Sequence, residues 1–179
     1  YILIKMQINS KKIIYSLAVF HVILWTAIPT IFNTNLSLDT IEVLAWGNEL
    51  KLGYDKFPPI FPLFTELFYK IFGSQDWAYY LLSQLFVATC FVVVFKFSKY
   101  FFTNNVHSLL SVLLLECIYF FNYTTPELNG FIALLPFIAL TALFCWKAII
   151  YNNSFDWIMF GVFAGISTLT WYLALYLLA

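Results

Sequence analysis

The sequence predicts an all-α integral membrane protein, and two features of its composition support this fold class. Of the 179 residues, 63% are hydrophobic and only 10% are charged, whereas soluble domains are about half apolar and about a quarter charged. Apolar stretches close to the roughly 20 residues that a spanning helix needs recur along the chain. Nine lysines cancel nine acids and there is no arginine, which argues against a nucleic-acid partner.

We expect about five transmembrane helices. The two most apolar stretches, 13–31 and 77–95, contain no charged residue and are therefore the clearest spans by hydropathy. Three further spans are predicted over 106–121, 130–150 and 157–179. The connecting segments between them are short, apart from the one that follows the first span.

That long connection, residues 32–76, is predicted to contain two helices lying on the membrane surface. Asp39 with Glu42 three residues later resembles a capping box, so a first helix is expected to begin there and to end at Gly53. After a double proline, a second apolar helix is expected over 60–72.

The distribution of lysines predicts the orientation. A cytoplasmic N-terminus places six of the nine lysines on the cytoplasmic side, which satisfies the positive-inside rule; they are Lys5, Lys11, Lys12, Lys96, Lys99 and Lys147. The opposite side receives seven of the nine acids, six of them in the loop 32–76. That loop would face the periplasm if the host membrane is a bacterial inner membrane.

Candidate site residues lie in this acidic loop. Asp39 and Glu42 share a helix face because residues three apart are neighbours. Helix capping and a solvated edge are the ordinary explanation of such a pair, but its position directly after the first span, at headgroup level, favours a functional role. Lys56 lies near the same level, where an ammonium group can contact a lipid phosphate.

Two acids further along the chain are also candidates. Glu116 lies inside a predicted span, where an ionisable side chain is costly and indicates a functional site by default; pairing with a polar neighbour inside the bundle is the alternative. Glu127 lies in a short loop on the same side as Asp39. The histidines show no metal-ligand spacing, so a packing role is expected for His21.

The first loop contains three short sequence strings in this order: Leu38-Asp39-Thr-Ile-Glu42, Leu44-Ala-Trp-Gly47 and Gly53-Tyr-Asp-Lys-Phe-Pro-Pro59. Their order resembles the first outside loop of polyprenyl-phosphate-dependent membrane glycosyltransferases of the C-type superfamily, which includes protein O-mannosyltransferases and the lipid A aminoarabinose transferase. The similarity continues through Asp76-Trp-Ala-Tyr-Tyr-Leu-Leu-Ser-Gln84, Leu113-Leu-Leu-Glu116 and Thr125-Pro-Glu-Leu-Asn129.

This resemblance implies an enzyme that moves a sugar from a polyprenyl-phosphate carrier to a lipid, glycan or protein acceptor, with inversion, on the periplasmic face. Asp39 would be the general base, and Glu42 and Glu127 are candidates for further catalytic carboxylates. Lys56 resembles the lysine that holds the carrier phosphate. Asp55 resembles an acidic position that can ligate a divalent metal ion in some relatives, and no cofactor is otherwise expected.

The chain departs from the family pattern at two positions. Relatives often have a histidine where Phe57 stands and a basic residue where Trp171 stands. Relatives are also considerably longer, so the chain is expected to be their N-terminal part. Two other interpretations remain open: an inactive remnant of such an enzyme, or a membrane transporter or structural subunit, for which Glu116 is the motivation.

Overall fold

The computed structural model describes residues 10–49 and 51–179, and this part of the chain is helical without any strand. Its α-helices, in chain order, are α1 Ser10–Phe32, α2 Leu38–Gly47, α3 Ile60–Phe72, α4 Asp76–Ser98, α5 Asn105–Glu116, α6 Gly130–Tyr151, α7 Ser154–Thr170 and α8 Ala174–Leu178. A short 3₁₀ turn covers Tyr119–Phe121. The all-α fold class is therefore confirmed.

Three helices among the described residues, α1, α4 and α6, are long and apolar enough to cross a membrane. The predicted spans 13–31, 77–95 and 130–150 lie within them. The helices α5 and α7 are apolar but shorter. With 12 residues, α5 is about 18 Å long, less than the hydrocarbon core of about 30 Å. The count of five spans stays a prediction.

Helix α4 is the centre of the bundle. In its most apolar window 72% of the residues are buried inside the protein, against 22% for α1. It packs against α1 on one side and α6 on another, and it also contacts α3 and α5. Helix α7 packs along α6. Because neighbouring helices surround α4, its apolar residues lie all around the helix and not along a single stripe.

Both surface helices of the first loop form, but α2 differs from the prediction at each end. Its N-cap is Ser37, so the capping-box interpretation of Asp39 was wrong; Asp39 lies in the first turn. The helix ends at Gly47 rather than at Gly53. A Cβ atom at Gly47 would lie 2.9 Å from the carbonyl oxygen of Pro62, so α2 packs closely against α3 at this end.

Helix α3 has the predicted bounds and ends at Gly73, which adopts a φ of 71°. This left-handed conformation favours glycine. The location of α2 and α3 at the membrane surface stays a prediction.

The last predicted span, 157–179, is interrupted at Trp171. Helix α7 ends at Thr170, and Trp171 takes an extended conformation with φ −154° and ψ 128°. Its indole ring lies against Gly130, the first residue of α6. A Cβ atom built on Gly130 would be only 2.0 Å from the ring atom Cε3. The break thus brings an aromatic ring to the N-terminus of α6.

The bundle has a lysine-rich end. The start of α1 and the ends of α4 and α6 meet there, and Lys11, Lys96, Lys99 and Lys147 line one cavity. The predicted grouping of these four lysines is confirmed, whereas Lys5 lies outside the described residues. Helix α1 runs away from this end and α4 returns to it, so α2 and α3 lie at the opposite end. Which membrane face each end occupies stays a prediction.

We predict that Gly130→Ala destabilises the protein, because the added methyl group overlaps the Trp171 indole. Overpacking of this kind costs about 1 to 3 kcal/mol. The matched control is Gly161→Ala, since nothing lies within 4 Å of a Cβ atom at that helical position and alanine favours helix. Thermal unfolding in detergent should show a lower midpoint for Gly130→Ala only. Equal midpoints for the two variants would contradict the packing of Trp171 on Gly130.

Candidate functional site

The first loop brings two carboxylates and one ammonium group together. Lys56 Nζ donates a hydrogen bond to Glu42 Oε2 at 2.5 Å and lies 3.4 Å from Asp39 Oδ1. Asp39 and Glu42 reach the lysine from the same face of α2, as their spacing predicts. Lys56 arrives from the turn that precedes α3, where the Tyr54 N–H donates to the carbonyl of Phe57 at 3.1 Å. We call these three residues the acid–lysine cluster.

The acid–lysine cluster is accessible to ligands from solvent. The side chains of Asp39, Glu42 and Lys56 are 50%, 37% and 46% exposed. The hydrogen bond that Lys56 donates to Glu42 raises the pKa of Lys56 above its ordinary value. Lys56 therefore remains a cation at neutral pH.

An aromatic wall adjoins the acid–lysine cluster. Phe57 is buried, and its ring centroid lies 5.1 Å from those of both Trp46 and Trp171. Lys56 Nζ lies 5.3 Å from the Phe57 centroid, within cation–π range. Phe57 and Trp171, the two positions that depart from the family pattern, thus contact each other.

Glu127 and Asp55 are not brought into the cluster. The hydroxyl of Thr40 in α2 donates to the carbonyl of Leu128 at 3.1 Å, so the backbone next to Glu127 does reach α2. The side chains of Glu127 and Asp55 are exposed, and in the described ranges neither one forms an ion pair with Lys56. The same ranges contain no group of three or more metal-ligating side chains, and the metal-binding role of Asp55 stays a prediction.

A second polar group lies inside the bundle and was not predicted. His21 of α1 is 1% exposed. Its Nδ1 lies 3.0 Å from Glu116 Oε1, and its Nε2 lies 3.0 Å from Gln84 Oε1 of α4. His21 and Glu116 are 95 residues apart in the chain, and no local pattern predicts such a pairing. This contact supports the interpretation that Glu116 pairs with a polar neighbour.

The buried group continues into the irregular segment 117–129. The amide of Gln84 donates to the Thr125 hydroxyl at 3.1 Å, and Ser83 donates to the Thr125 carbonyl. The side chain of Asn122 donates to the carbonyl of Glu116 at 2.7 Å. Buried backbone and side-chain polar groups need hydrogen-bond partners, and these residues supply such partners to the irregular segment.

A comparison with known protein families identifies the chain. Residues 56–179 match the family described as dolichyl-phosphate-mannose-protein mannosyltransferase, which is more than half of the sequence. The chain belongs to this family. The suspected relationship to membrane glycosyltransferases of the C-type superfamily is thereby confirmed.

The dolichyl-phosphate-mannose-protein mannosyltransferase match begins at Lys56. It includes Glu116 and Glu127 but leaves Asp39 and Glu42 outside. No curated protein and no solved structure shows a significant match to the chain. The arrangement of Asp39 and Glu42 around Lys56 is therefore an observation from the structure, independent of the family match.

Proposed function

We propose that the chain forms the donor end of a glycosyltransferase active site, which transfers a sugar from a polyprenyl-phosphate carrier to a hydroxyl acceptor on the periplasmic face. The observation that carries this proposal is the acid–lysine cluster, in which one ammonium group lies within reach of two carboxylates. Family membership supports the donor class. The acceptor can be a lipid, a glycan or a protein.

The two carboxylates have different geometries, which suggests different roles. Glu42 forms the shorter contact, 2.5 Å, and holds Lys56 in place. Asp39 is 3.4 Å away and half exposed, so it is freer to accept a proton. We assign Asp39 as the general base toward the acceptor hydroxyl and Glu42 as the residue that positions Lys56. The backbone next to Glu127 reaches α2, but we assign the Glu127 side chain no step in the reaction.

The proposed reaction breaks the bond between the anomeric carbon and the phosphate oxygen of the carrier. The acceptor oxygen forms the new bond from the opposite side, and its proton passes to Asp39, so the configuration inverts. The carrier leaves as polyprenyl phosphate. Lys56 stabilises the charge on this leaving group. An approaching phosphate displaces Asp39 from Lys56 more easily than Glu42, because the Asp39 contact is the longer one.

The aromatic wall offers a place for the carrier chain. The buried ring of Phe57 lies between Lys56 and Trp171, and the partly exposed Trp171 offers apolar surface on this side of the cluster. An isoprenoid chain needs apolar contact along its length. Because Asp55 stands apart from other ligating side chains, no step is assigned to a metal ion.

A transporter or structural subunit is a weaker interpretation. Its motivation was an acid, Glu116, inside a predicted span without an evident partner. The contact with His21 supplies that partner. An inactive remnant would not need to keep the geometry of the acid–lysine cluster. Reconstituted protein that moves a labelled substrate across proteoliposomes without transferring sugar would favour transport.

We predict that Asp39→Asn and Lys56→Ala each lower sugar transfer by about a hundredfold or more, since general-base catalysis alone contributes about 10² to 10⁴. Membranes containing the protein are assayed with a radiolabelled polyprenyl-phosphate sugar. Lys51→Ala is the matched control, because it removes a lysine of the same loop that pairs with Glu49. Transfer at the control's rate in both variants would refute the site assignment.

We predict that Glu42→Gln raises the KM for the donor about tenfold, because the hydrogen bond that orients Lys56 loses its charge assistance, while kcat changes less. The pH profile provides a second readout. Glu42 raises the pKa of Lys56, so its loss lowers that pKa, and donor binding should weaken at a lower pH than in the unmodified protein. A reduced kcat with unchanged KM and pH profile would instead assign Glu42 to the chemical step.

A further inference from the structure

A second site lies at the lysine-rich end of the bundle, opposite the acid–lysine cluster. A cavity of about 460 Å³ opens between α1, α4 and α6. Its charged lining consists entirely of lysines, and its other lining residues are apolar or aromatic. The lysines of this lining are Lys11, Lys96, Lys99 and Lys147.

The positive charge around this cavity is largely uncompensated. Lys147 pairs with Asp156 of α7 at 2.6 Å, and Lys99 Nζ lies 4.8 Å from the ring centroid of Phe95. Within the described ranges, Lys11 and Lys96 form no ion pair. The cavity therefore presents an excess of cations to an incoming ligand.

The floor of the cavity has the opposite character. Ile14, Phe95 and Leu143 belong to its lining and are buried, with 1%, 3% and 7% exposure. The hydroxyl-bearing rings of Tyr15 and Tyr100 are exposed. The cavity thus combines cationic side chains with an apolar interior. A ligand that fits must be anionic at one end and apolar at the other.

We propose that this cavity binds the phosphate headgroup of an anionic phospholipid, with the start of an acyl chain against the apolar floor. Basic side chains near a membrane surface attract anionic lipids, and basic pockets between spanning helices are typical sites for their headgroups. A free phosphate ion would gain nothing from the apolar floor. A zwitterionic lipid would bring its own cation toward the lysines. This proposal does not depend on sugar transfer.

The test measures binding of a fluorescent phosphatidylglycerol to the purified, delipidated full chain in non-ionic detergent. The variant Lys11→Gln with Lys96→Gln removes the two lysines that lack an ion pair. Lys51→Gln with Lys70→Gln is the matched control, because it removes the same charge in the first loop. Each lysine at a lipid headgroup contributes about fivefold in affinity, so the cavity variant should bind about 25-fold more weakly and the control should bind like the unmodified protein.

Two competitors separate the sources of the phosphate. Phosphatidylglycerol should displace the probe, whereas phosphatidylcholine and inorganic phosphate at equal concentration should not. Displacement by inorganic phosphate would show a simple anion site and overturn the lipid assignment. Equal weakening in the cavity variant and the control would show that lysines act only as diffuse surface charge, which would also overturn the proposal.

Discussion

The contact between His21 and its two partners is the interaction on which the arrangement of this protein depends. An imidazole ring near the middle of a spanning helix must find polar partners inside the protein, because hydrocarbon supplies none. His21 finds them in Glu116 at the end of α5 and Gln84 of α4, each at 3.0 Å. One ring therefore joins the first spanning helix, the central helix and the short helix α5.

This contact explains how an irregular segment is accommodated in the bundle. With α5 ending at Glu116, the chain continues through 117–129 without regular helix apart from one 3₁₀ turn. Thr125 bonds to Gln84 and Ser83, which satisfies polar groups that would otherwise be costly. The far end of the segment reaches Thr40 through the Leu128 carbonyl. Thr40 lies between Asp39 and Glu42, so the buried contact and the acid–lysine cluster belong to one connected structure.

The sequence predicts those parts of the structure that local patterns determine. Hydropathy locates α1, α4 and α6, and a proline pair with a terminal glycine locates α3. The spacing of Asp39 and Glu42 predicts that both side chains lie on the same helix face. Contacts between distant residues escape this reasoning, and one example is the close packing of Gly47, at the end of α2, against Pro62 of α3.

The position of the polar partners is equally non-local. Neither His21 nor Glu116 has a neighbour in sequence that indicates the other. Trp171, where the last predicted span is interrupted, lies against Gly130 and Phe57. Glu127 was expected to join the site from its loop position, yet only the adjacent backbone of Leu128 reaches α2. A side chain's direction in an irregular segment is not set by hydropathy.

The central claim is that His21 holds the segment 117–129 inside the bundle and against α2. Amide hydrogen exchange measured by mass spectrometry tests it directly, comparing the reconstituted chain with its His21→Leu variant. The account predicts that exchange accelerates at least about tenfold in 117–129 and in α2, while α6 and α7 keep their protection. Unchanged protection in 117–129, or a uniform loss along the whole chain, would contradict it.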